Sequence, residues 1–384
     1  MWIAVIVVVV LIIYLYSIAP NMGRREKMNP FSETFIAHRG LFNNGGGEWL
    51  VKDSDGNLVR REDVTNTASH KSGSTTASDK TGRITAVNQQ FKADMAKQLD
   101  SESCGEVYDC GDQDEREEDK EPGDKAAADV TIPLAPENSM PAFQAAVAAG
   151  YGIELDTQTT ADGRLVVFHD ENLYRMCGID KNLYECTYDE LRTYKLAKTE
   201  YGIPLFEDVL KMIDGKVPLV VEIKSEGNWK RTTRMTAEAL DAYGVSVRSD
   251  IRMEDSKEEK KAEKREYNRQ PYCMESFHPF IVKWFRDNRP DVLRGQLSTN
   301  FFRSTLKRVW YENIVLTNLM LNFLSRPDFV AYNYRYKNQP SFWLCRNLFG
   351  VVSAAWTVRS EAALEKVAKV FEVIIFDSFL PEER

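Results

Sequence analysis

Short apolar runs alternate with amphipathic stretches over most of the chain. Between the runs, apolar residues recur at helical spacing, as at Phe206, Val209, Leu210 and Ile213. Strands that alternate with helices predict an α/β fold built on a parallel sheet or barrel. The expected strands are residues 35–37, 151–157, 165–169, 218–221, 273–277, 293–297, 350–357 and 373–376.

The first segment has a different pattern. Residues 2–19 are almost wholly apolar and uncharged, close to the lower length that spans a bilayer. Arg24, Arg25 and Lys27 follow at once, which by the positive-inside rule places the rest of the chain in the cytoplasm. We expect a single-pass transmembrane anchor in the cell membrane over residues 1–22. The alternative is a signal sequence, cleaved or uncleaved, that exports the domain.

A polar segment interrupts the alternation after the first strand. Residues 43–131 open on three glycines, continue in Ser, Thr, Lys and Asp, and become strongly acidic, with few apolar residues. Such a composition buries too little apolar surface to offset the entropy of ordering. We expect an insertion, partly disordered or a small cap, within a domain over residues 33–384. A second charged run, at residues 254–265, has the pattern of a solvated helix or loop.

Composition narrows the class of protein. The chain has 384 residues, 43% of them hydrophobic, which supports a large core. Its net charge of −8 argues against a nucleic-acid partner. The six cysteines form no zinc pattern, and we interpret most of them as free thiols, which favours a reducing compartment.

Two carboxylates share one face of the expected second strand. Glu154 and Asp156 point the same way because side chains alternate along a strand. They repel each other and lose hydration there, so a cation is expected between them. A hard divalent ion with oxygen ligands is the simplest candidate.

Ionisable residues also end the neighbouring strands. In a (β/α)8 barrel, the carboxyl ends of all strands meet at one mouth, where catalytic groups collect. Four successive strands that deliver such groups to one end are hard to explain by packing, so we predict a TIM barrel with a site at its mouth. The residues are His38 on the first strand, Glu154 and Asp156 on the second, His169 on the third, and Glu222 and Lys224 on the fourth.

The residue types at this mouth suggest phosphoryl chemistry. Glu154, Asp156 and Glu222 suit Mg²⁺ or Ca²⁺, whereas zinc would more often recruit imidazole or thiolate. Arg39 and Lys224 suit an anionic group, and arginine matches phosphate in a bidentate way. Two histidines, His38 and His169, can divide the proton transfers between nucleophile and leaving oxygen.

Together these motifs resemble the glycerophosphodiester phosphodiesterase family. The resemblance covers the chain from residue 35 to about residue 377 apart from the insertion, and it is the order and spacing of the motifs that make it specific. The matching residues are His38-Arg39-Gly40, Pro136-Glu137-Asn138-Ser139, Glu154-Leu155-Asp156, Asp162-Gly163, His169-Asp170, Glu222-Ile223-Lys224, Ser276-Phe277 and Trp356-Thr357-Val358.

The resemblance implies a TIM barrel that hydrolyses glycerophosphodiesters to sn-glycerol 3-phosphate and an alcohol with a divalent metal. It implies that His38 and His169 are the acid–base pair, with the assignment of acid and base left open. By the same resemblance, the glycerol hydroxyl attacks first and water then opens a cyclic phosphate. The other implied roles are metal ligation by Glu154, Asp156 and Glu222, phosphate contact by Arg39 and Lys224, and a pocket wall at Trp356.

The chain departs from the family pattern in three places. The segment 43–131 separates two motifs that normally lie a few residues apart, and residues 254–265 are a second addition. Near the C-terminus, Phe376-Asp377 stands where the family usually has Thr-Asp, which puts that strand end in question.

Other functions remain open from the sequence. One is a lysophospholipase D with the same site and a larger apolar pocket. Another is a non-catalytic membrane scaffold whose insertion binds a partner, although a decayed site should have lost motif residues and none is lost. Residues 316–329 form a long apolar segment, by default a core helix and alternatively a membrane-facing helix beside the mouth.

Overall fold

A computed structural model describes residues 2–42, 50–52, 58–60, 135–254, 272–303 and 309–381. Most of the expected insertion and nearly all of the charged run 254–265 lie outside these residues. The described chain falls into two units. The smaller unit contributes one antiparallel pair, β2 (Leu50–Lys52) with β3 (Leu58–Arg60).

Eight parallel strands close into a barrel in the larger unit, as expected for a TIM barrel. The first strand pairs with both the second and the last barrel strand, which completes the closure. In spatial order the strands are β1 (Ile36–His38), β11 (Val373–Phe376), β10 (Val352–Val358), β9 (Phe329–Asn333), β8 (Leu293–Ser298), β7 (Tyr272–Ser276), β6 (Leu219–Ile223) and β4 (Gly152–Thr159).

Two strand assignments from the sequence are corrected. Residues 165–169 do not form a barrel strand, because β5 (Leu165–Val167) pairs antiparallel with β4. Asp162-Gly163 turns the chain back on itself, and Gly163 takes the positive φ of 81° that such hairpin turns require. The missing barrel strand is β9, of which only the first residue, Phe329, lay within the expected apolar segment 316–329.

Helices connect the barrel strands on the outside. The described helices are α1 (Trp2–Ile18), α2 (Asn29–Ser32), α3 (Met140–Ala148), α4 (Tyr174–Cys177), α5 (Tyr188–Leu191), α6 (Phe206–Ile213), α7 (Trp229–Glu254), α8 (Pro279–Asn288), α9 (Trp310–Thr317), α10 (Asn322–Ser325), α11 (Pro340–Asn347) and α12 (Glu361–Val367).

Apolar side chains fill the barrel interior below the mouth. Met28 and Phe31, which precede β1, belong to this buried cluster. The cluster continues upward through residues such as Val220, Ala331 and Ala354. The four cysteines within the described ranges are free thiols, as expected; Cys104 and Cys110 lie outside those ranges.

The first helix is shorter than the expected anchor. It ends at Ile18, and none of the helices that the structure describes is long and apolar enough to cross a membrane. The segment after it is held by the barrel: the Asn21 amide donates to Asp328 over 2.6 Å, and Arg24 pairs with the same carboxylate at 3.3 Å.

Residues 316–329 are a packing segment, in agreement with the default interpretation. They do not form one long helix, since α9 ends at Thr317 and α10 covers only Asn322–Ser325. Every residue of the segment is buried or half-buried. The alternative of a membrane-facing helix at these residues is therefore wrong.

Candidate active site

Strand register brings four carboxylates together at the mouth. Asp156 lies opposite Glu222, and Glu222 lies opposite Glu275 on the next strand. Glu154 stands two residues earlier on the same face as Asp156 and opposite His38 of β1. All four carboxylates are buried. Parallel pairing of β1, β4, β6 and β7 thus brings residues from distant motifs into one acidic cluster.

Three of these carboxylates form a candidate metal site. Ligand atoms of Glu154, Asp156 and Glu222 all lie within 4.8 Å of one another. Burial, and then repulsion from the neighbouring carboxylates, raises the pKa of Glu154 well above its usual value. Burial also raises the pKa of Glu222. A cation between the three carboxylates would offset both the loss of hydration and the repulsion.

The two cations assigned to phosphate binding lie against this cluster. The Lys224 ammonium is 3.0 Å from Asp156 Oδ1 and 2.9 Å from Glu222 Oε1. The Arg39 guanidinium donates to Glu137 over 2.7 Å and lies 3.6 Å from Asp156. Burial alone would raise the pKa of Asp156, but Lys224 and the other nearby cations hold it below its usual value.

The turn after β1 aims the Arg39 backbone at the cluster. Arg39 has a φ of 56°, and its amide donates to Glu154 Oε2 over 3.1 Å. Gly40 follows with a φ of 82°, and a Cβ there would meet the Ala142 carbonyl carbon at 2.9 Å. The His-Arg-Gly order therefore has a steric reason as well as a chemical one.

His38 stands at the end of β1 between two carboxylates. Its Nδ1 lies 3.0 Å from Asp377, which follows the last barrel strand, and its Nε2 lies 4.0 Å from Glu154. Arg359 donates to the other oxygen of Asp377 over 2.8 Å. Although Asp377 is buried, its bonds to His38 and Arg359 hold its pKa below the usual value.

His169 reaches the mouth by way of the β4–β5 hairpin and not from a barrel strand. The Gln158 side-chain amide donates to the carbonyl oxygens of Phe168, His169 and Asp170, at 2.9, 3.1 and 2.8 Å. These bonds fix the returning backbone beside β4. His169 Nδ1 then lies 2.6 Å from Asp170 Oδ1.

A chain of ion pairs ties His169 to the first motif. Arg175 donates to both Asp170 oxygens, over 2.6 and 2.8 Å, and to Glu137 over 2.7 Å. Glu137 in turn accepts from Arg39. Despite burial, these contacts lower the pKa of Asp170 to about 2 and hold that of Glu137 well below its usual value.

An aromatic wall closes one side of the mouth. Trp356 packs edge-on against Phe277 with ring centroids 5.4 Å apart, and Phe277 meets Phe301 at 6.2 Å. The Trp356 indole N–H has no hydrogen-bond partner among the described residues. The cleft has an empty volume of about 390 Å³ and is lined by His38, Arg39, Glu154, His169, Glu222, Glu275, Phe277, Leu297, Trp356, Thr357 and Ile375.

Every residue that the sequence placed in the site lies at this mouth, and several further residues join them. Glu275 was overlooked although it precedes the quoted Ser276-Phe277 and ends a strand like the others. Asp377 and Asp170 lay inside quoted motifs but had no assigned role. Arg175 carried no signal in the sequence, because its position depends on a short helix after the hairpin.

The residues present fit a hard divalent cation. The ligand set consists of carboxylate oxygens alone, and the raised pKa values of Glu154 and Glu222 mark uncompensated negative charge. Glu275 adds a further buried carboxylate, and its Oε2 has no hydrogen-bond partner within the described ranges. Burial raises the pKa of Glu275 well above its usual value.

Comparison with known families decides the membership of this chain. Residues 127–377 match the model of the glycerophosphoryl diester phosphodiesterase family. The chain belongs to this family. The match begins after His38, so strand pairing, and not the family match, connects this histidine to the other site residues of this family member.

Curated relatives of this phosphodiesterase-family chain carry two kinds of enzyme name. A glycerophosphodiester phosphodiesterase of Bacillus altitudinis is 38% identical over 23% of this chain and 39% of its own length. A lysophospholipase D of Rattus norvegicus is 35% identical over 24% of this chain and 33% of its own. The chain thus spans about two-fifths or less of these relatives. YhdW of Bacillus subtilis is 30% identical over 53% of this chain and 82% of its own length.

Solved phosphodiesterase structures are also similar to this chain. A glycerophosphodiester phosphodiesterase from Thermotoga maritima has a TM-score of 0.44 and 20% identity, covering 63% of this chain and 88% of its own. A phosphodiesterase from Oleispira antarctica, solved with sn-glycerol 3-phosphate, has a TM-score of 0.47 and 20% identity, covering 64% and 88%.

Proposed function

We propose that this chain hydrolyses glycerophosphodiesters to sn-glycerol 3-phosphate and an alcohol, in a reaction that depends on a divalent cation. One observation carries the proposal. Two histidines, each with a carboxylate on Nδ1, stand at the same barrel mouth as three buried carboxylates. This combination matches a metal-assisted acid–base hydrolysis of a phosphate ester.

His38 and His169 divide the proton transfers. In each, a carboxylate at Nδ1 fixes the ring orientation and leaves Nε2 for the substrate. One histidine takes the proton of the attacking hydroxyl, and the other donates a proton to the leaving oxygen. The two environments are alike, so either assignment of acid and base fits them.

Glu154, Asp156 and Glu222 would hold Mg²⁺ or Ca²⁺ at the base of the cleft. The ion supplies charge neutralisation at the phosphate, which favours attack by an oxygen nucleophile. Arg39 and Lys224 would orient the phosphate from the same side, since both cationic groups already lie beside Asp156. Trp356 would face the organic part of the diester, with its indole N–H as a donor.

A direct assay tests this function. Glycerol 3-phosphate release is measured from glycerophosphocholine and glycerophosphoethanolamine, with and without chelator. We expect the wild type to lose activity with chelator and to regain it with Mg²⁺ or Ca²⁺. Glu154→Gln should lower the rate by at least about a hundredfold, because a metal ligand is lost. Activity that ignores both the chelator and this substitution would overturn the metal site.

A surface carboxylate provides the matched control for that assay. Glu207 is an exposed glutamate that pairs with Arg164 at 2.9 Å, and neither residue lines the cleft. Glu207→Gln should leave the rate unchanged. His38→Gln and His169→Gln should each lower the rate without abolishing metal binding, which calorimetry of the full chain would show.

Attachment to a membrane through the N-terminal segment remains part of our proposal. It rests on the uncharged apolar run at residues 2–19 and on the three basic residues after it, which favour a barrel on the cytoplasmic side of the cell membrane. Fusion of a reporter to each end of the full chain, followed by protease accessibility in intact cells, tests the orientation. Release of the protein into a salt wash without detergent would contradict the anchor.

A further inference from the structure

The first helix has a defined direction on the barrel. The carbonyl oxygen of Ile18 accepts from Asn322 over 3.0 Å and from Cys345 over 3.4 Å. One turn earlier, the Tyr14 hydroxyl lies beside the Ser341 side chain. Ser341 lies one turn before Cys345 in α11, so α1 runs alongside α11 in the same direction.

This direction carries the start of α1 past the mouth. Helix α11 begins just after the carboxyl end of β9 and runs toward the amino end of the barrel. Its first turn already contacts Tyr14, so residues 2–13 extend beyond it on the mouth side. At the usual rise per residue, this part of the helix extends about 18 Å beyond the first turn of α11.

The protruding part of α1 is apolar on every side. It contains no polar or charged residue between Trp2 and Ile13. Its described side chains are exposed, from Trp2 through Val5 to Ile13. A helix that is apolar all round needs an apolar medium around its whole circumference, and a protein groove would cover only one face of it.

Other exposed apolar side chains lie on the same end of the molecule. Phe280 follows the carboxyl end of β7, and Phe302, Trp310 and Tyr311 follow that of β8. Trp310 is 71% exposed and Tyr311 55% exposed. We call these four residues the mouth rim. Leu348 is also exposed, but it follows α11 at the end of that helix away from the mouth.

We propose that the mouth rim docks on a lipid surface, with α1 inserted into the hydrocarbon beside it. Tryptophan and tyrosine prefer the headgroup level, where the ring is buried and its polar atom stays hydrated. In this orientation the active-site cleft opens onto the headgroups. This inference rests on the proposed function and names its substrate class as lysophospholipids that reside in the membrane.

The orientation fits a lysophospholipid chemically. Its acyl chain stays among the lipids while its phosphodiester enters the cleft. The bond between phosphorus and the headgroup alcohol oxygen breaks, and water supplies the oxygen that phosphorus gains and the proton that the alcohol gains. The products are lysophosphatidic acid, which keeps its acyl chain, and the free headgroup alcohol.

Fluorescence quenching of the full chain tests the docking. Vesicles of phosphatidylcholine and phosphatidylglycerol with brominated acyl chains quench tryptophans that touch the hydrocarbon boundary. We expect Trp310→Phe to reduce the quenched fraction of the emission. Leu348→Trp should add emission that the vesicles do not quench, because this position faces the opposite end. An unchanged quenched fraction in Trp310→Phe would overturn the docking.

Substrate presentation provides the second test. The double variant Trp310→Asp/Tyr311→Asp should release the headgroup from lysophosphatidylcholine in vesicles at least tenfold more slowly. Its rate of glycerophosphocholine hydrolysis should be unchanged. Leu348→Asp, at a site 56% exposed, is the matched control and should change neither rate. Phe302→Asp repeats the test at an independent rim position. Equal losses on both substrates, or no loss on vesicles, would contradict the proposal.

The two tests separate docking from chemistry. If the wild type hydrolyses neither substrate, the proposed function is wrong. The quenching result still tests whether the mouth rim docks on a lipid surface. If it hydrolyses glycerophosphocholine but no vesicle-borne lysophospholipid, the function stands and the lipid substrate is wrong.

Discussion

His38 Nδ1 lies 3.0 Å from the carboxylate of Asp377, although the two residues are 339 positions apart in the sequence. One residue ends the first barrel strand and the other follows the last, so the contact exists only because the barrel closes. Arg359 and Ser378 also bond this carboxylate. The aspartate therefore holds the histidine as part of a fixed network.

We expect Asp377→Asn to lower kcat by about a hundredfold with little change in KM, because the imidazole loses its orienting anion. Steady-state kinetics on glycerophosphocholine measure this. Asp189→Asn, at an exposed aspartate of α5, is the control and should behave as wild type. In His38→Gln, the further change Asp377→Asn should cost little. Additive losses would show that Asp377 acts through another group.

Divalent cations should stabilise the folded protein. Binding to the native state alone adds about 2.7 kcal/mol at a concentration a hundred times Kd. We expect Mg²⁺ or Ca²⁺ to raise Tm by a few degrees in differential scanning calorimetry, and Glu222→Gln to abolish the increase. Glu207→Gln should preserve it. An equal increase in Tm in both variants would show that the ion binds at another site.

Glu275 should destabilise the metal-free protein at neutral pH. Its pKa is raised well above the usual value by burial and by Glu222, so the folded state holds a proton that the unfolded state releases. Its contribution to stability is therefore present at low pH and lost as pH rises through the folded pKa. Without metal, Glu275→Gln should raise the free energy of unfolding at pH 8 by at least about 1 kcal/mol, since a tenfold change in proton affinity is worth about 1.4 kcal/mol.

Urea unfolding of metal-free wild type and Glu275→Gln, at pH 5 and pH 8, measures this contribution. The gain should be smaller at pH 5. A gain in Glu275→Gln that is the same at both pH values would contradict the charge explanation.

Asp170 should contribute stability with the opposite dependence on pH. Its folded pKa of about 2 lies below the ordinary aspartate value of 3.8, so its contribution is complete above that ordinary value and is lost as pH falls through about 2. Asp170→Asn should cost about 2 kcal/mol at pH 6 and progressively less toward pH 3. Thermal unfolding across this range measures the difference, and a constant difference would exclude the linkage.

The sequence identified the barrel and the mouth because both are encoded locally. Apolar runs ending in Glu154, Asp156 and Glu222 needed only strand periodicity and the rule that barrel strands end together. Strand β9 was missed because it is only five residues long, and its first residue, Phe329, was counted with the apolar segment before it. The hairpin at Asp162-Gly163 was recognised as a turn, but periodicity alone does not distinguish an antiparallel return from a parallel crossover.

The pairing of charges at the mouth could not be derived from the sequence. Arg39 and Lys224 were assigned to phosphate from their residue types, yet each lies against carboxylates of this chain in the structure. Such contacts depend on rotamers and on strands far apart in sequence. For the same reason, nothing local marked Arg175 as the link between Asp170 and Glu137.

The double pairing of β1 has a consequence for how this chain can change. His38 is placed by hydrogen bonds to β4 on one side and β11 on the other, and not by the segment that follows it. Each doubling of a flexible connection costs only about 0.6 kcal/mol in closure entropy. Residues 43–131 can therefore lengthen, shorten or be replaced during evolution while the geometry at the barrel mouth stays the same.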